Sequence, residues 1–557
     1  KEKCYVFDFA PDRALKMMAD AVSLSSKAGR SEERAKKAMG QLLNFCPIIA
    51  VEGTNMSEYN VEQMLVQLKK AYIDKVCANG FDNNHLYNFD LPELSERDLE
   101  MFDRLNKIAK ASGQSKKPQD VIVNKQGMDE EEYDSNDDES TPKPKREKTE
   151  EDLQKAERKK QRDKIISNLR AISIRIPLLV YGANIPYERE ISIDNITDIV
   201  DDVSWEEFMP KGFTKQDFKY FKKYYDPEVF IGAGKQIRSR VKDAENLPVL
   251  DRVKEIAEIF SSFRNPDKET VLTPWRVVNM HMSDCLGGYD FWNESHTETI
   301  DLPRVVDNGK VTAETFWNPN AKFLEINSKT GLYPLYITYT AYRVLRQANQ
   351  RKTDAELWEK ALKDSVFVIC KTPMAEYITK RTLVGFKDIK VNAKYYPNLL
   401  KEAKESPKEL AKKICDGIEF WKVGEKEMKF DAIVGNPPYQ VSDGGNKSSA
   451  SPIYQYFVEL AKDINPNYIS MIMPARWFGG GKGLNDFRNT MLNDSCISKI
   501  FDFCDARDCF PTVDIAGGIC YFLREKGFSG KCSVINIRQN KRIEDYNIKR
   551  IPYIYTR

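Results

Sequence analysis

The residues best suited to chemistry stand at the end of one apolar run. In FDAIVGNPPYQ, residues 430–440, a strand-like segment stops at Gly435 and is followed at once by Asn436, Pro437, Pro438 and Tyr439. The prolines fix their own φ and remove two backbone donors. Pro437 also pushes Asn436 out of the helical region. The outcome is a rigid turn whose carbonyl acceptors are not consumed by a sheet ladder. Such a turn suits a planar amino group that must act as a nucleophile, because the lone pair of that nitrogen is delocalised into its ring. The Asn436 side-chain oxygen and the Pro437 carbonyl could accept its two hydrogens and favour a pyramidal nitrogen. Tyr439 offers a flat face for stacking, worth roughly 1–3 kcal/mol per base in nucleic-acid sites. A proline-rich loop without chemistry is the plain alternative, but an apolar strand running straight into N-P-P-Y is much rarer than a Pro-Pro turn.

Composition narrows the remaining chemistry. Only three histidines occur, His85, His281 and His296, which disfavours a histidine-rich metal site or a Ser-His-Asp hydrolase, and no metal is expected. Eleven cysteines are scattered without a C-x-x-C pair, as in a reducing, cytoplasmic setting. GAGKQ at residues 232–236 lacks the spacing and the hydroxyl residue of a phosphate loop, so this stretch should not hydrolyse ATP. No carboxylate cluster of nuclease type stands out. The 557 residues carry 86 basic and 84 acidic side chains, a net charge of +2. Any basic groove for DNA must therefore be local. No apolar run approaches a bilayer span, so no membrane partner is expected.

The elements that must position the turn follow from periodicity. From about residue 270 onward, short apolar runs (VFVIC, FDAIVG, YISMIMPA, IAGGICYFL) alternate with helix-like stretches such as SPIYQYFVELAKDI. That alternation predicts an α/β fold, a doubly wound sheet with helices on both faces, and ligands bind such sheets at the carboxyl ends of the strands. Upstream, KCYVFDFAPDRALKMMADA reads as strand, turn and helix, and helical patterns run to about 111. Residues 112–149 are polar, with a dense acidic stretch at 129–139, and read as a partly disordered linker. IRIPLLVYGANI, from Ile174, reads as a buried strand, and residues 190–265 read as helices. The chain opens on Lys1, shows no signal peptide, and reads as a piece of a longer polypeptide.

On these segments the sequence resembles the adenine-specific, amino-methylating DNA methyltransferases of restriction-modification polypeptides, of Eco57I-like or single-chain type I-like kind. ETVLTPWRVVNMHM, from Glu269, is similar to the family's cofactor clasp, with Thr273 and Pro274 in its Thr-Pro position. AKFLEINSKTGLYPLYI, from Ala321, stands where the family's cofactor loop stands, with Glu325 and Gly331 keeping its ends. YISMIMPARWF resembles the later strand ending in proline, here Pro474. CFPTVDIAGGICYFLREK, from Cys509, resembles the last core hairpin, where a phenylalanine, here Phe510, packs on the flipped base. Two positions depart: Lys329 stands where a glycine is usual, and Cys370 stands where a carboxylate holds the cofactor ribose. The resemblance implies S-adenosylmethionine as cofactor, bound by Thr273, Pro274, Glu325, Asn327, Ser328, Thr330 and Gly331, with Asn327, Ser328, Thr330 or Glu376 standing in for the missing carboxylate. It implies Asn436 to Tyr439 as the catalytic turn and Tyr439 with Phe510 as the base holders. With sulfur, methyl carbon and amino nitrogen aligned, no strong general base is needed.

The expected organisation is a helicase-like α/β tail at 1–111, the charged linker at 112–165, a helical coupler at 166–268, a Rossmann-like methyltransferase sheet at 269–525, and the start of a target-recognition region at 526–557. Double-stranded DNA is the expected partner, with linked motor and target-recognition segments lying outside this chain. Glycine-rich, lysine-bearing loops at 443–449 and 478–484 flank the turn and could close on DNA phosphates, or could be mobile surface. Two rival functions remain: a cofactor-gated DNA clamp without turnover, and a methyltransferase acting on glutamine side chains of protein.

Overall fold

The computed structural model describes residues 95–111, 172–225, 227–263, 271–441, 451–511 and 517–538. It also describes the strands at 49–52, 55–58 and 541–548, residue 515, and isolated positions between 62 and 73 and between 160 and 169. The expected strand and helix of the opening segment, the acidic linker and the 443–449 loop lie outside the described residues.

The core is one mixed nine-stranded sheet. Its strands are β1 Phe323–Ser328, β2 Val366–Cys370, β3 Asn392–Tyr395, β4 Ala432–Gly435, β5 Tyr468–Pro474, β6 Ile497–Phe503, β7 Ile519–Glu525, β8 Cys532–Arg538 and β9 Lys541–Ile548. Across the sheet the order is β9-β8-β6-β7-β5-β4-β1-β2-β3. Strands β1 to β5 are mutually parallel, and β7 runs antiparallel between β5 and β6. The strand order reverses between β1 and β4, so the crevice beyond their carboxyl ends is the place where such sheets bind ligands.

Side chains along these strands alternate between two cores, as the pleat requires. Val366, Val368 and Cys370 of β2 face one core, and Phe367 and Ile369 face the other. The strands are buried on both sides, which is why they read as continuous apolar runs. Helices that cover the sheet or follow its strands include Trp275–Cys285, Leu332–Ala348, Asp354–Ser365, Pro373–Val384, Pro407–Ile414, Tyr454–Ile464 and Asn485–Leu492. The first four pack in the core that holds Val366, and the last three in the opposite core.

The helical region upstream belongs to the first of these cores rather than forming a separate one. Its main helices are Asp202–Phe208, Lys215–Phe221, Pro227–Ala244 and Val249–Ser261. The first two starts are chemically marked. Asp201 caps the first through the Ser204 amide at 2.8 Å, and Thr214 with Asp217 forms a capping box on the second. Several polar bonds join this region to the sheet domain. Tyr181 meets Thr382 at 3.1 Å, the Met374 amide donates to Ser204 at 3.0 Å, and Lys371 pairs with Glu207 at 2.6 Å. On its other side it holds the helix Glu96–Ala111. Asp98 there accepts from Tyr220 and Tyr224, each at 2.7 Å, and Phe102 packs 5.0 Å from Phe221.

One expectation fails here. The run from Ile174 is a helix, Ile176–Gly182, not a strand. Pro177 sits in its first turn, where its missing N–H costs nothing. All seven of its residues are buried, so no polar face marks the helical period, and an apolar run buried on every side cannot be told from a strand by pattern alone. The sheet also runs on beyond residue 525, where the sequence suggested a boundary: β8 pairs in parallel with β6, and β9 pairs with β8.

Candidate active site

The candidate site forms where β1 and β4 end. Strand β4 stops at Gly435, whose Cβ, if present, would lie 3.1 Å from the Ile326 carbonyl oxygen. The glycine thus lets the turn begin close against β1. The Asn436 side chain is buried, and its Nδ2 donates to the Thr273 hydroxyl at 2.9 Å. Residues 163 positions apart in sequence are thereby joined by one bond. Because the amide nitrogen is engaged by Thr273, the amide oxygen is left over, and it has no hydrogen-bond partner among the described residues. Pro274 then occupies the position before the helix Trp275–Cys285, which carries the clasp segment away from the site.

The loop after β1 supplies the facing wall. A bulge falls between Ile326 and Ser328, and Asn327 within it adopts a left-handed φ of +70°, a conformation asparagine tolerates better than most residues. Its Nδ2 approaches the Asn436 carbonyl at 3.5 Å, and its Oδ1 has no partner among the described residues. Ser328 is bonded to the Thr379 hydroxyl at 3.1 Å and accepts from the Gly331 amide at 3.3 Å. Thr330 accepts from Thr382 through its carbonyl at 2.7 Å. Gly331 combines a φ of +74° with a Cβ position 2.9 Å from the Thr379 Cα, so only glycine fits there. Lys329, in the place of a glycine, folds under the loop and donates to the Val271 carbonyl at 3.4 Å, tying loop to clasp.

Glu325 is the electrostatic centre of this wall. Burial pushes its carboxyl up to about 8, with the nearby Ser328 and Lys329 opposing the shift only in part. Its Oε2 is buried without a partner among the described residues. Glu325 pairs in register with Val434, two residues before Asn436. Unpartnered buried acceptors are costly, and three stand on the adjoining ends of β1 and β4: Glu325 Oε2, Asn327 Oδ1 and Asn436 Oδ1, none with a partner among the described residues. That donor-hungry set fits a ligand bearing an ammonium or another cationic group. At the end of β2, Cys370 is buried against Thr379 with its thiol pushed well up by burial. Glu376 is engaged by the Tyr395 amide at 2.7 Å and by Lys380. Of the residues offered as substitutes for a ribose-binding carboxylate, Asn327 is the one with an unpartnered buried acceptor.

Tyr439 and Phe510 come together, their centroids 6.5 Å apart and their planes at 71°. They form an edge-to-face pair rather than a parallel slot, with Phe510 fully buried behind Tyr439. Tyr439 is itself buried, 5% exposed and packed in the core, so the two rings leave no parallel slot between them. Sequence reasoning missed Arg276. Its Nε donates to the His296 carbonyl and its Nη1 to the Asp508 carbonyl, both at 2.6 Å, which fixes the segment carrying Phe510 to the clasp helix. The available signal was an arginine three residues after Thr273 in a segment otherwise apolar. A cavity of about 810 Å³ opens beside the clasp and the loop, under the helix Val249–Ser261. Thr273, Pro274, Trp275, Thr330, Leu332 and Pro511 line its sheet-domain side.

Comparison with known proteins gives three findings. Residues 364–510 match the Eco57I restriction-modification methylase family. A protein of Mycoplasma pneumoniae (strain ATCC 29342 / M129 / Subtype 1), described as an uncharacterized adenine-specific methylase, is 32% identical over 224 residues, which cover 38% of this chain and 52% of that protein. The chain thus spans about half the length of that relative. Among solved structures, the chain is similar to a methyltransferase subunit of a type I restriction-modification system from Streptococcus thermophilus, at 12% identity, 95% and 90% coverage and a TM-score of 0.35. It is also similar to a modification subunit of a putative type I restriction enzyme from Vibrio vulnificus YJ016, at 13% identity, 59% and 61% coverage and a TM-score of 0.34.

Proposed function

We propose that this chain transfers a methyl group from S-adenosylmethionine to the exocyclic amino group of an adenine flipped out of double-stranded DNA, as the modification part of a restriction-modification enzyme. The observation that carries the reading is the Asn436 amide. Its nitrogen is held by Thr273 and its oxygen has no partner among the described residues, on a turn that stands at the switch point of the sheet. The match of residues 364–510 to a restriction-modification methylase family and the Mycoplasma relative support the same chemistry.

When bound, the cofactor supplies an electrophilic methyl carbon. The chain's own residues do the rest. Glu325 and Asn327 offer acceptors to the cofactor's cationic end, while Thr273, Pro274, Ser328, Thr330 and Gly331 shape the walls around it. Asn436 Oδ1 and the Pro437 carbonyl accept the two hydrogens of the target amine and direct its lone pair outward. Pro438 keeps the turn stiff. Tyr439, backed by Phe510, supports the base plane and offsets part of the few kcal/mol needed to unstack it.

A second reading, a DNA clamp gated by the cofactor without turnover, is favoured by one observation: Cys370 leaves the end of β2 without a carboxylate. One experiment separates the readings. The full chain is incubated with tritiated S-adenosylmethionine and either unmodified duplex DNA or a protein extract. Label in DNA adenine supports the proposal. Cofactor binding without label favours the clamp, and label in protein alone points to a glutamine methyltransferase.

A further inference from the structure

Beyond the turn, the segment after β5 contains a backbone arrangement that the reaction itself does not require. Residues 475–478 form a short helical turn, followed by Gly479 with φ −85°. Four consecutive residues then take left-handed φ: Gly480 at +67°, Gly481 at +79°, Lys482 at +48° and Gly483 at +82°. Glycine adopts this region freely, but lysine does so at a cost. Nothing crowds Gly481 or Gly483, since a Cβ on either would meet open space. The glycines are thus needed for backbone shape rather than for close packing. The loop is anchored at both ends. The Gly480 amide donates to the Trp477 carbonyl at 3.1 Å, the Gly481 amide to Asn485 Oδ1 at 2.8 Å, and the Leu484 amide to the Gly481 carbonyl at 3.0 Å.

What remains unused at the tip is a set of donors. The Lys482 and Gly483 amides have no partner among the described residues, and neither does the exposed Lys482 ammonium. Six residues earlier, Arg476 is half-exposed against Gly517, and its guanidinium also has no carboxylate partner among the described residues. The right- to left-handed step that forms an anion-binding concavity falls at Gly479 and Gly480, whose amides are already bonded to the Arg476 and Trp477 carbonyls, so the donors left for an anion are the Lys482 and Gly483 amides of the left-handed run. Strand register sets its place: Met471 of β5 pairs with Gly435, so Pro474 lies three residues further along the carboxyl edge. The loop therefore stands at the same edge of the sheet as Asn436.

The geometry points to a phosphodiester-binding site formed by the Lys482 and Gly483 amides, the Lys482 ammonium and Arg476, which grips the DNA backbone beside the catalytic turn. The inference rests on the DNA reading of the site. The left-handed lysine sets the backbone that presents these amides, and its ammonium is the exposed charge beside them.

The test is the salt dependence of duplex binding by the full chain, read as anisotropy of a fluorescein-labelled duplex between about 50 and 200 mM KCl. Each phosphate contact contributes about 0.9 to the slope of log affinity against log salt. Lys482→Ala, Lys482→Gly and Arg476→Ala should each bind more weakly at low salt, and each should lose about three- to fourfold less affinity than wild type across that range. Lys482→Gly keeps the left-handed backbone without strain, so a loss in this variant reports the charge rather than misfolding. Lys482→Arg should retain the wild-type slope. Duplex should also protect Lys482 from acetylation by sulfo-NHS-acetate, whereas inorganic phosphate at equal ionic strength should not. Wild-type slopes in all the charge-removing variants, no duplex binding by wild type, or equal protection by inorganic phosphate would each overturn the assignment. If wild type methylates DNA but the slopes are unchanged, this inference alone fails. If the slopes change but no methyl transfer occurs, the methylation reading alone fails.

Discussion

Replacing Glu325 by glutamine gives the sharpest physical prediction. In the ligand-free protein burial raises its carboxyl from 4.5 to about 8. The sign follows from linkage: the unfolded chain releases this proton near 4.5, while the folded chain keeps it until about 8. The stabilising contribution is complete below pH 4.5 and is lost as pH rises through 8. At ~1.4 kcal/mol per pH unit, the interval between pH 5 and 8 is worth at most about 4 kcal/mol. A cation bound beside Glu325 favours the carboxylate, so binding should expel the proton. At pH 7, roughly 0.9 proton should be released per S-adenosylmethionine bound, measured by titration calorimetry in buffers of different ionisation enthalpy. Affinity should rise by close to tenfold between pH 6 and 7, and less steeply as pH nears 8, relative to Glu325→Gln, which should lack this linked proton. The variant should also gain stability over wild type as pH rises. Identical proton release by wild type and variant, with parallel pH profiles, would refute the assignment of Glu325 to the cationic end.

Thr273→Val keeps the shape of the clasp but strands the Asn436 Nδ2 donor, a loss of roughly 1–3 kcal/mol; methyl transfer should fall about ten- to hundredfold while duplex affinity holds, and Thr273→Ser should restore the rate. Gly331→Ala forces a Cβ to within 2.9 Å of the Thr379 Cα at a left-handed φ, so the melting temperature should drop, by the equivalent of roughly 2–4 kcal/mol; an unchanged melt would contradict the packing described. With 2-aminopurine at the target position, the fluorescence rise on flipping should be reduced in Tyr439→Ala, and reduced further when Phe510→Ala is added. An undiminished rise in the double variant would remove both rings from base holding.

Much of this was legible in sequence because the decisive signals are local. N-P-P-Y writes its own backbone constraint, and the strands VFVIC, FDAIVG and YISMIMP announce themselves by unbroken apolar character between turn residues. The Thr-Pro segment and the turn were separate clues, and only the fold brought Thr273 to Asn436. What stayed hidden depended on burial and pairing. The helix Ile176–Gly182 shows no period because every face is covered. The extension of the sheet through β8 and β9 depends on a parallel pairing with β6 that no local pattern encodes. Glu325 reads as one more acidic residue until burial strips its water and raises its proton affinity. The role of Arg276 depends on carbonyls 20 and 232 positions away, and the left-handed Lys482 looks in sequence like any lysine among glycines.

The central claim is that the Asn436 amide oxygen activates an adenine amino group. Its most direct test is nucleoside mass spectrometry on duplex DNA after incubation with S-adenosylmethionine and either the wild-type chain or Asn436→Ala. The account predicts N6-methyladenine with wild type, and at least a hundredfold less with the variant, about 2.7 kcal/mol or more of lost transition-state stabilisation, while duplex affinity and melting temperature stay near wild type. Equal yields of N6-methyladenine from the two proteins would contradict it.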